Sequence, residues 1–186
     1  MIRLVIFDTE TTGLVKSALV KPDEFPEIIE FAAIHLIAAE DVNGWLIEEA
    51  NSFTTFVRPN GPITDEVTKI TGITKQDVAN APSFSDIAAT VRDWIEDADI
   101  QVAHNLAFDA EIIDYELKRA GMPKLELKYP VCTVEQTLHL SGHRLSLGAL
   151  HSHLFGSAPE KAHRALDDVK TLSRCVQDLM NKGELI

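Results

Sequence analysis

The sequence predicts an α/β protein in which a mixed central β-sheet is flanked by α-helices, and three observations carry that expectation. Three β-rich apolar runs lie early in the chain, at Ile2–Phe7, Ile28–Ala38 and Phe53–Val57. Stretches with helical periodicity follow, interrupted by one short apolar run at Ile100–Ala103. Early strands followed by helix–strand–helix units indicate a sheet packed with helices. The 186 residues suffice for one domain with a substantial core and leave little room for another, so residues 1–186 are expected to form a single domain.

Each element has its own local reason. Ile2–Phe7 is apolar at nearly every position, the pattern of a buried strand. Asn43–Gly44 suits a turn between the second and third strands. Phe53–Val57 is closed by Pro59, Gly61 and Pro62. Thr64 is a suitable N-cap for a short helix running toward Ile70. Ser83, with Asp86 three residues on, resembles a capping box and opens a helix to about Glu96. Ala107–Ala120 reads as a helix ended by Gly121 and Pro123. Thr133–Leu140 and Leu145–Phe155 read as shorter helices, and Ala162–Met180 as the last one. No internal repeat or low-complexity segment interrupts them.

Composition narrows the function classes. No uncharged apolar stretch reaches about 18 residues, so no membrane span is expected, and the N-terminus lacks the features of a signal peptide. Cys132 and Cys175 fit no metal or redox spacing, which suits two free, buried thiols in the cytoplasm. The net charge of −12 argues against clamping long duplexes, which needs a basic surface to displace counterions. A local grip on a strand end is compatible with it, because bound divalent cations can carry phosphate binding.

The informative residues are acids where a core wants apolar groups. Strand alternation puts Ile2, Leu4, Ile6, Asp8 and Glu10 on one face, so the apolar line turns acidic at its C-terminal end. Two such carboxylates raise each other's pKa unless a cation sits between them; a solvated strand end is the alternative. Asp109 heads a helical stripe with Ile113, Leu117 and Ala120. It is either a dipole-stabilised residue or a buried carboxylate that a metal would relieve. In the last helix Leu166, Val169, Leu172, Val176 and Leu179 form the core stripe. Asp168 flanks that stripe, whereas Asp167 aligns with Thr171 and Arg174 on the solvent side. His163 opens this helix, either as a capping or surface residue or, beside metals, as a proton acceptor. Four acids and a histidine from three elements can meet at the end of the first strand. Oxygen ligands favour Mg²⁺ or Mn²⁺ over zinc. Two such ions, roughly 4 Å apart, suit in-line hydrolysis of a phosphodiester.

Phe7–Gly13 (Phe-Asp-Thr-Glu-Thr-Thr-Gly), His104–Asp109 (His-Asn-Leu-Ala-Phe-Asp) and His163–Asp168 (His-Arg-Ala-Leu-Asp-Asp) resemble, in order, the three motifs of the DEDDh class of 3′→5′ exonucleases. That class takes in proofreading epsilon subunits, exonuclease X, RNase T and oligoribonuclease. The resemblance runs from Ile2 to about Leu179. It implies a ribonuclease H-like fold forming a single exonuclease domain, and two divalent cations, Mg²⁺ or Mn²⁺. Asp8 would bridge them, with Glu10 and Asp168 on the first and Asp109 reaching the second through water. His163 would be the general base. Thr9, Thr11 and Gly13 resemble positions that contact the terminal nucleotide, and Gly13 also suits a tight turn. His104, Asn105 and Phe108 match substrate-side positions, although Phe108 equally fits the apolar face with Ile112 and Tyr115. Thr71 stands where many relatives carry a histidine before the glycine.

The expected substrate is the 3′ end of single-stranded DNA, cut to nucleoside 5′-monophosphates. The alternatives are an exoribonuclease, and, from a different class, a nucleic-acid-binding module without chemistry. A phosphatase of the haloacid dehalogenase type would need an aspartate where Glu10 stands. Arg144, Lys161 and Arg164 are candidates to hold the backbone, with surface solubility as the equal alternative. The chain ends at Ile186 with no evident polymerase- or clamp-binding tail, which favours a stand-alone nuclease. A polymerase partner or a homodimer is left open.

Overall fold

The computed structural model describes residues 1–14, 25–42, 44–160 and 163–185. Its sheet has five strands: β1 (Ile2–Thr11), β2 (Ile28–Asp41), β3 (Gly44–Phe56), β4 (Ile100–Ala103) and β5 (Pro130–Cys132). They are ordered β3-β2-β1-β4-β5. β1 pairs antiparallel with β2 and parallel with β4, so the sheet is mixed, as expected. The helices are α1 (Asp65–Thr71), α2 (Lys75–Val78), α3 (Phe84–Glu96), α4 (Leu106–Arg119), α5 (Thr133–Gln136), α6 (Leu138–Ser141), α7 (Leu147–Phe155) and α8 (Ala165–Asn181).

Strand alternation divides the core into two layers. Val5, Phe7, Phe31 and Ala33 face α3 and α4, packing against Phe84, Val91, Ile95, Ile112, Ile113 and Leu117. Leu4, Ile6, Ala32, Ile34 and Leu36 face the other way, onto Val169, Leu172, Val176 and Leu179 of α8. Those four, with Leu166 only partly buried at the start of the helix, are the expected core stripe. At about 25 cal/mol per Å² of apolar surface removed from water, this two-sided burial is the main stabilising term.

The local signals held at the caps. Thr64 Oγ1 accepts the Val67 N–H at 3.3 Å, and the Asp86 carboxylate accepts both the N–H and the hydroxyl of Ser83, at 2.8 and 2.6 Å. Several boundaries differ from expectation, among them β2, which runs on to Asp41, and α7, which begins at Leu147. β1 continues through Asp8 and Glu10 to Thr11. β3 begins at Gly44, because its mostly exposed first half is held by backbone pairing with β2 and carries no apolar run to announce it. The Thr133–Leu140 segment is two helices, parted at Thr137 (φ −100°, ψ 10°). α8 begins at Ala165, after His163 at φ 64°. The short β5 had no sequence signal of its own, whereas α2 carried one that was not read: Thr74 with Asp77 three residues on forms a capping box. Asn43, proposed for the β2–β3 turn, lies outside the described residues, as does Lys161.

Gln101 fixes β4 among its neighbours. It is fully buried; its Nε2 donates to the Ile95 and Ala98 carbonyls at 3.2 and 2.9 Å, and its Oε1 accepts the Tyr129 N–H at 3.0 Å. Gln101→Leu has similar size but leaves the carbonyls of buried Ile95 and Ala98 without this donor, whereas the N–H of exposed Tyr129 can turn to water. Each stranded carbonyl costs about 1–3 kcal/mol, so urea unfolding should show a loss of about 2–5 kcal/mol. A loss below about 1 kcal/mol would mean the freed groups find water.

Candidate active site

β1 delivers Asp8 and Glu10 to the α8 side of the sheet, continuing the line of Leu4 and Ile6. The first turn of α8 brings Asp168 to them. One carboxylate oxygen from each of Asp8, Glu10 and Asp168 lies within 4.8 Å of the others. Asp167 points elsewhere and lines an outer cavity of about 390 Å³ with His151, Lys170 and Arg174. The helical register therefore separated the two neighbouring aspartates correctly.

Asp109 arrives from the opposite face, in the first turn of α4. It is almost fully buried, and its Oδ1 accepts the Thr9 N–H at 3.1 Å and the Thr9 hydroxyl at 2.7 Å. Thr9 lies one residue beyond Asp8 and points to the α4 side, so this pair of bonds ties the two layers at the site. β4 pairs with β1 only as far as Ile6, and the Thr9 N–H bonds to Asp109 instead of a strand. A bulge falls where the register moves from Glu10–Glu30 to Thr11–Ile28. Bulges of this kind bend a strand end and re-aim its side chains.

Burial and like charge act together on these acids. Asp8 is raised well above the usual carboxylate range by desolvation, then by Asp109, Glu10, Asp168 and Glu30. Glu10 is pushed up to about 7 by desolvation, then by Asp168, Glu30 and Asp109, with Arg164 opposing. Desolvation also takes Asp109 to about 7 against the two Thr9 hydrogen bonds. Asp168 is raised, first by desolvation, with the His163 N–H bond opposing. A divalent cation would relieve this cost, and the all-oxygen donor set fits Mg²⁺ or Mn²⁺.

His163 is exposed and in the left-handed region, uncommon for a residue other than glycine and a form of strain found at functional sites. Its backbone N–H donates to Asp168 Oδ2 at 3.0 Å, which places it at the rim of the acid group.

Residues 5–175 match the model of the RNase T exonuclease family. The chain belongs to the exonuclease family. It is 32% identical over 181 residues to the DNA polymerase III subunit epsilon of Pasteurella multocida (strain Pm70), covering 92% of this chain and 65% of that one. It is 33% identical over 174 residues to the PolC-type DNA polymerase III of Pediococcus pentosaceus, covering 91% of this chain and 11% of that one. The chain thus spans just under two thirds of the first relative and about a tenth of the second. A structure of exonuclease X in complex with 5′ overhanging duplex DNA superposes with a TM-score of 0.67 at 26% identity, covering 98% of this chain and 94% of that chain. Cell-death related nuclease 4 gives 0.74 at 22% identity, over 97% and 64%; at that identity the likeness is one of fold. The mixed sheet and its flanking helices are a ribonuclease H-like fold, as the motifs implied.

Within this exonuclease fold the other residues singled out from the sequence have surroundings of their own. His104 donates Nε2–H to the Leu145 carbonyl at 3.0 Å and meets the Thr133 hydroxyl with Nδ1 at 2.9 Å. Both ring nitrogens serve the scaffold, and burial lowers its pKa. Arg144 pairs with Glu135, and Arg164 pairs with Glu30 at 2.7 Å, so neither guanidinium is an uncommitted phosphate ligand. Gly13 has no positive φ, and among the described residues nothing lies within 4 Å of where its Cβ would be. The Thr11 hydroxyl donates to the Gly13 carbonyl at 2.6 Å. Asn105 is exposed, in the left-handed region, and heads α4. Phe108 packs against the α4-side core. The Thr71 hydroxyl turns inward to the Val67 carbonyl at 3.0 Å. Cys175 is buried, whereas Cys132 is only partly so. Among the described residues no helix is long and apolar enough to cross a membrane.

Glu30 was not singled out from the sequence. It is 3% exposed and stands opposite Glu10 across the β1–β2 pair. Its signal was there to read: it is the lone acid in the apolar run Ile28–Ala38.

The acid group makes a sign-definite prediction. Carboxyls raised in the folded state hold protons that the unfolded chain has released, so stability falls as pH rises from about 4 to about 7. Chelator-treated protein should therefore lose melting temperature between about pH 5 and about pH 8, and Asp8→Asn should flatten the decline. The depressed carboxyls of Glu27, Asp77 and Asp86 act in the opposite sense, at lower pH. A wild-type profile that Asp8→Asn leaves unchanged would show that the acids do not repel as described.

Proposed function

We propose that this protein is a divalent-cation-dependent 3′→5′ exodeoxyribonuclease, folded as one exonuclease domain, that releases nucleoside 5′-monophosphates from single-stranded 3′ ends. The observation that carries the reading is the convergence of Asp8, Glu10 and Asp168 within 4.8 Å, with Asp109 held beside them through Thr9. Two Mg²⁺ or Mn²⁺ ions held there would stabilise the attacking and leaving oxygens of an in-line phosphoryl displacement. Asp8 would serve both ions. Glu10 and Asp168 would hold the first, and Asp109 would reach the second through water. His163, at the exposed rim, takes the proton from the attacking water. Thr9 orients Asp109, and its neighbours Thr11 and Gly13, with Asn105 at the head of α4, border the place of the terminal nucleotide. His104 and Phe108 support that wall from behind.

The relatives named as DNA polymerase III subunits, and the exonuclease X structure with DNA, support DNA over RNA as substrate. A polymerase partner for this chain is a proposal on the same footing. The acidic balance supports preference for an unpaired terminus, since little surface is available to grip two phosphate backbones. Melting a terminal pair costs on the order of 1–2 kcal/mol of stacking, enough to slow a blunt duplex about tenfold.

Time-resolved digestion of a 5′-labelled DNA strand, alone, annealed, and beside its RNA counterpart, tests the substrate. A descending ladder fastest on single-stranded DNA is expected. Immediate release of labelled mononucleotide would reverse the polarity, and faster digestion of RNA would make the protein an exoribonuclease.

Three substitutions test the roles. Asp168→Asn should abolish turnover while Asp167→Asn leaves most of it; equal losses would refute the register. His163→Ala should lower turnover by about 10²–10⁴-fold, the scale of a lost general base, with Mn²⁺ affinity unchanged by calorimetry. Loss of Mn²⁺ binding in that variant would make His163 a ligand or a structural residue instead.

A further inference from the structure

The cross-strand row at the open end of the sheet contains more than the acid group. Glu10 of β1 stands opposite Glu30 of β2, which stands opposite Phe56 of β3. Directly paired residues face the same side of a sheet, so all three look toward the N-terminus of α8. Arg164, the N-cap residue of that helix, spans Glu30 and Phe56. Its Nε and Nη2 donate to Glu30 Oε2 and Oε1 at 3.0 and 2.7 Å, and its guanidinium carbon lies 5.1 Å from the centre of the Phe56 ring. The Ala165 N–H adds a third bond to Glu30 Oε2 at 3.0 Å.

Glu30 therefore sits beside Glu10 yet spends both oxygens on α8. It is absent from the group of converging oxygens formed by Asp8, Glu10 and Asp168. Arg164 lies between His163 and Asp168 in sequence, and its carbonyl accepts the Asp168 N–H at 2.9 Å as the helix begins. Whatever holds Arg164 thus fixes, through one turn of backbone, both the carboxylate that α8 contributes and the histidine before it.

We infer that the ion pair between buried Glu30 and partly exposed Arg164 is a positioning latch: it seats the first turn of α8 so that Asp168 completes the metal site, and it keeps Glu30 from acting as a competing ligand. This inference rests on the exonuclease reading above. Neither residue touches the reacting atoms in this role. Outer residues that orient metal ligands typically change metal affinity by about 10–100-fold when removed. A planar fork with two parallel donors is not replaced by a lysine ammonium.

The test measures Mn²⁺ binding by calorimetry, without nucleic acid, together with single-strand digestion at graded Mn²⁺. The variants are Glu30→Gln, Arg164→Lys, Arg164→Met and the double variant Glu30→Gln/Arg164→Met. A control, Leu179→Ala, loosens the far end of α8 in the core. Arg164→Met should weaken Mn²⁺ binding about tenfold or more, with Arg164→Lys intermediate. At limiting Mn²⁺, kcat should fall while KM for the oligonucleotide stays within about twofold, and saturating Mn²⁺ should restore most of the rate. The double variant should lose no more than Arg164→Met alone, since the two residues act as one unit. The control should lose thermal stability and keep its Mn²⁺ affinity. If Glu30→Gln does not fold, the arginine variants still decide the matter.

Unchanged Mn²⁺ affinity in the arginine variants overturns the latch. A raised KM alone would then assign Arg164 to nucleic-acid binding. Additive losses in the double variant, or equal weakening in Leu179→Ala, overturn it as well. Wild-type protein that neither binds Mn²⁺ nor cuts oligonucleotides would refute the exonuclease reading itself, and the latch with it.

Discussion

Mutual repulsion among Asp8, Glu10, Glu30 and Asp168 would drive β1, β2 and α8 apart if nothing opposed it. The opposing force is apolar. Behind the acids, Leu4, Ile6, Ala32 and Ile34 bury themselves against Val169, Leu172 and Val176. The stripe that holds the helix and the acid that the helix presents are parts of one surface, apolar along most of its length and charged at its end. The same burial that fastens α8 raises the acids' proton affinity, so the protein is built to be least comfortable where a cation would bind. Natural sites commonly trade stability in this way.

The fold was legible where a local rule acted alone. Ser83 with Asp86 marked α3 to the residue, and the α8 stripe separated Asp168 from Asp167. Where tertiary pairing decides, the sequence was silent. The polar half of β3 is a strand because β2 offers it hydrogen bonds, and the three-residue β5 exists because β4 is beside it. The site shows the same division. Its acids stood out against apolar surroundings, but Asp109's bond to Thr9 joins residues 100 positions apart. The commitments of His104 and Arg164 are likewise long-range, and no local spacing announces them.

The exonuclease family spans the sheet and the helices that bear the acids, while the polymerase relatives are longer than this chain. Likeness is therefore concentrated on the part of those proteins that corresponds to the fold seen here. The inward-turned Thr71 and the Glu30–Arg164 pair are features of this chain that family membership alone would not have revealed.

Asp8 and Glu10 stand on one face of β1 while Asp109 stands on the other, so the centre belongs to neither helical layer. It straddles them, and its parts come from the first strand, a middle helix and the last helix. Asp8 and Glu10 meet Asp168 only where α8 is docked on β1, so the acid group is a property of the folded sheet and helix together and of neither segment alone.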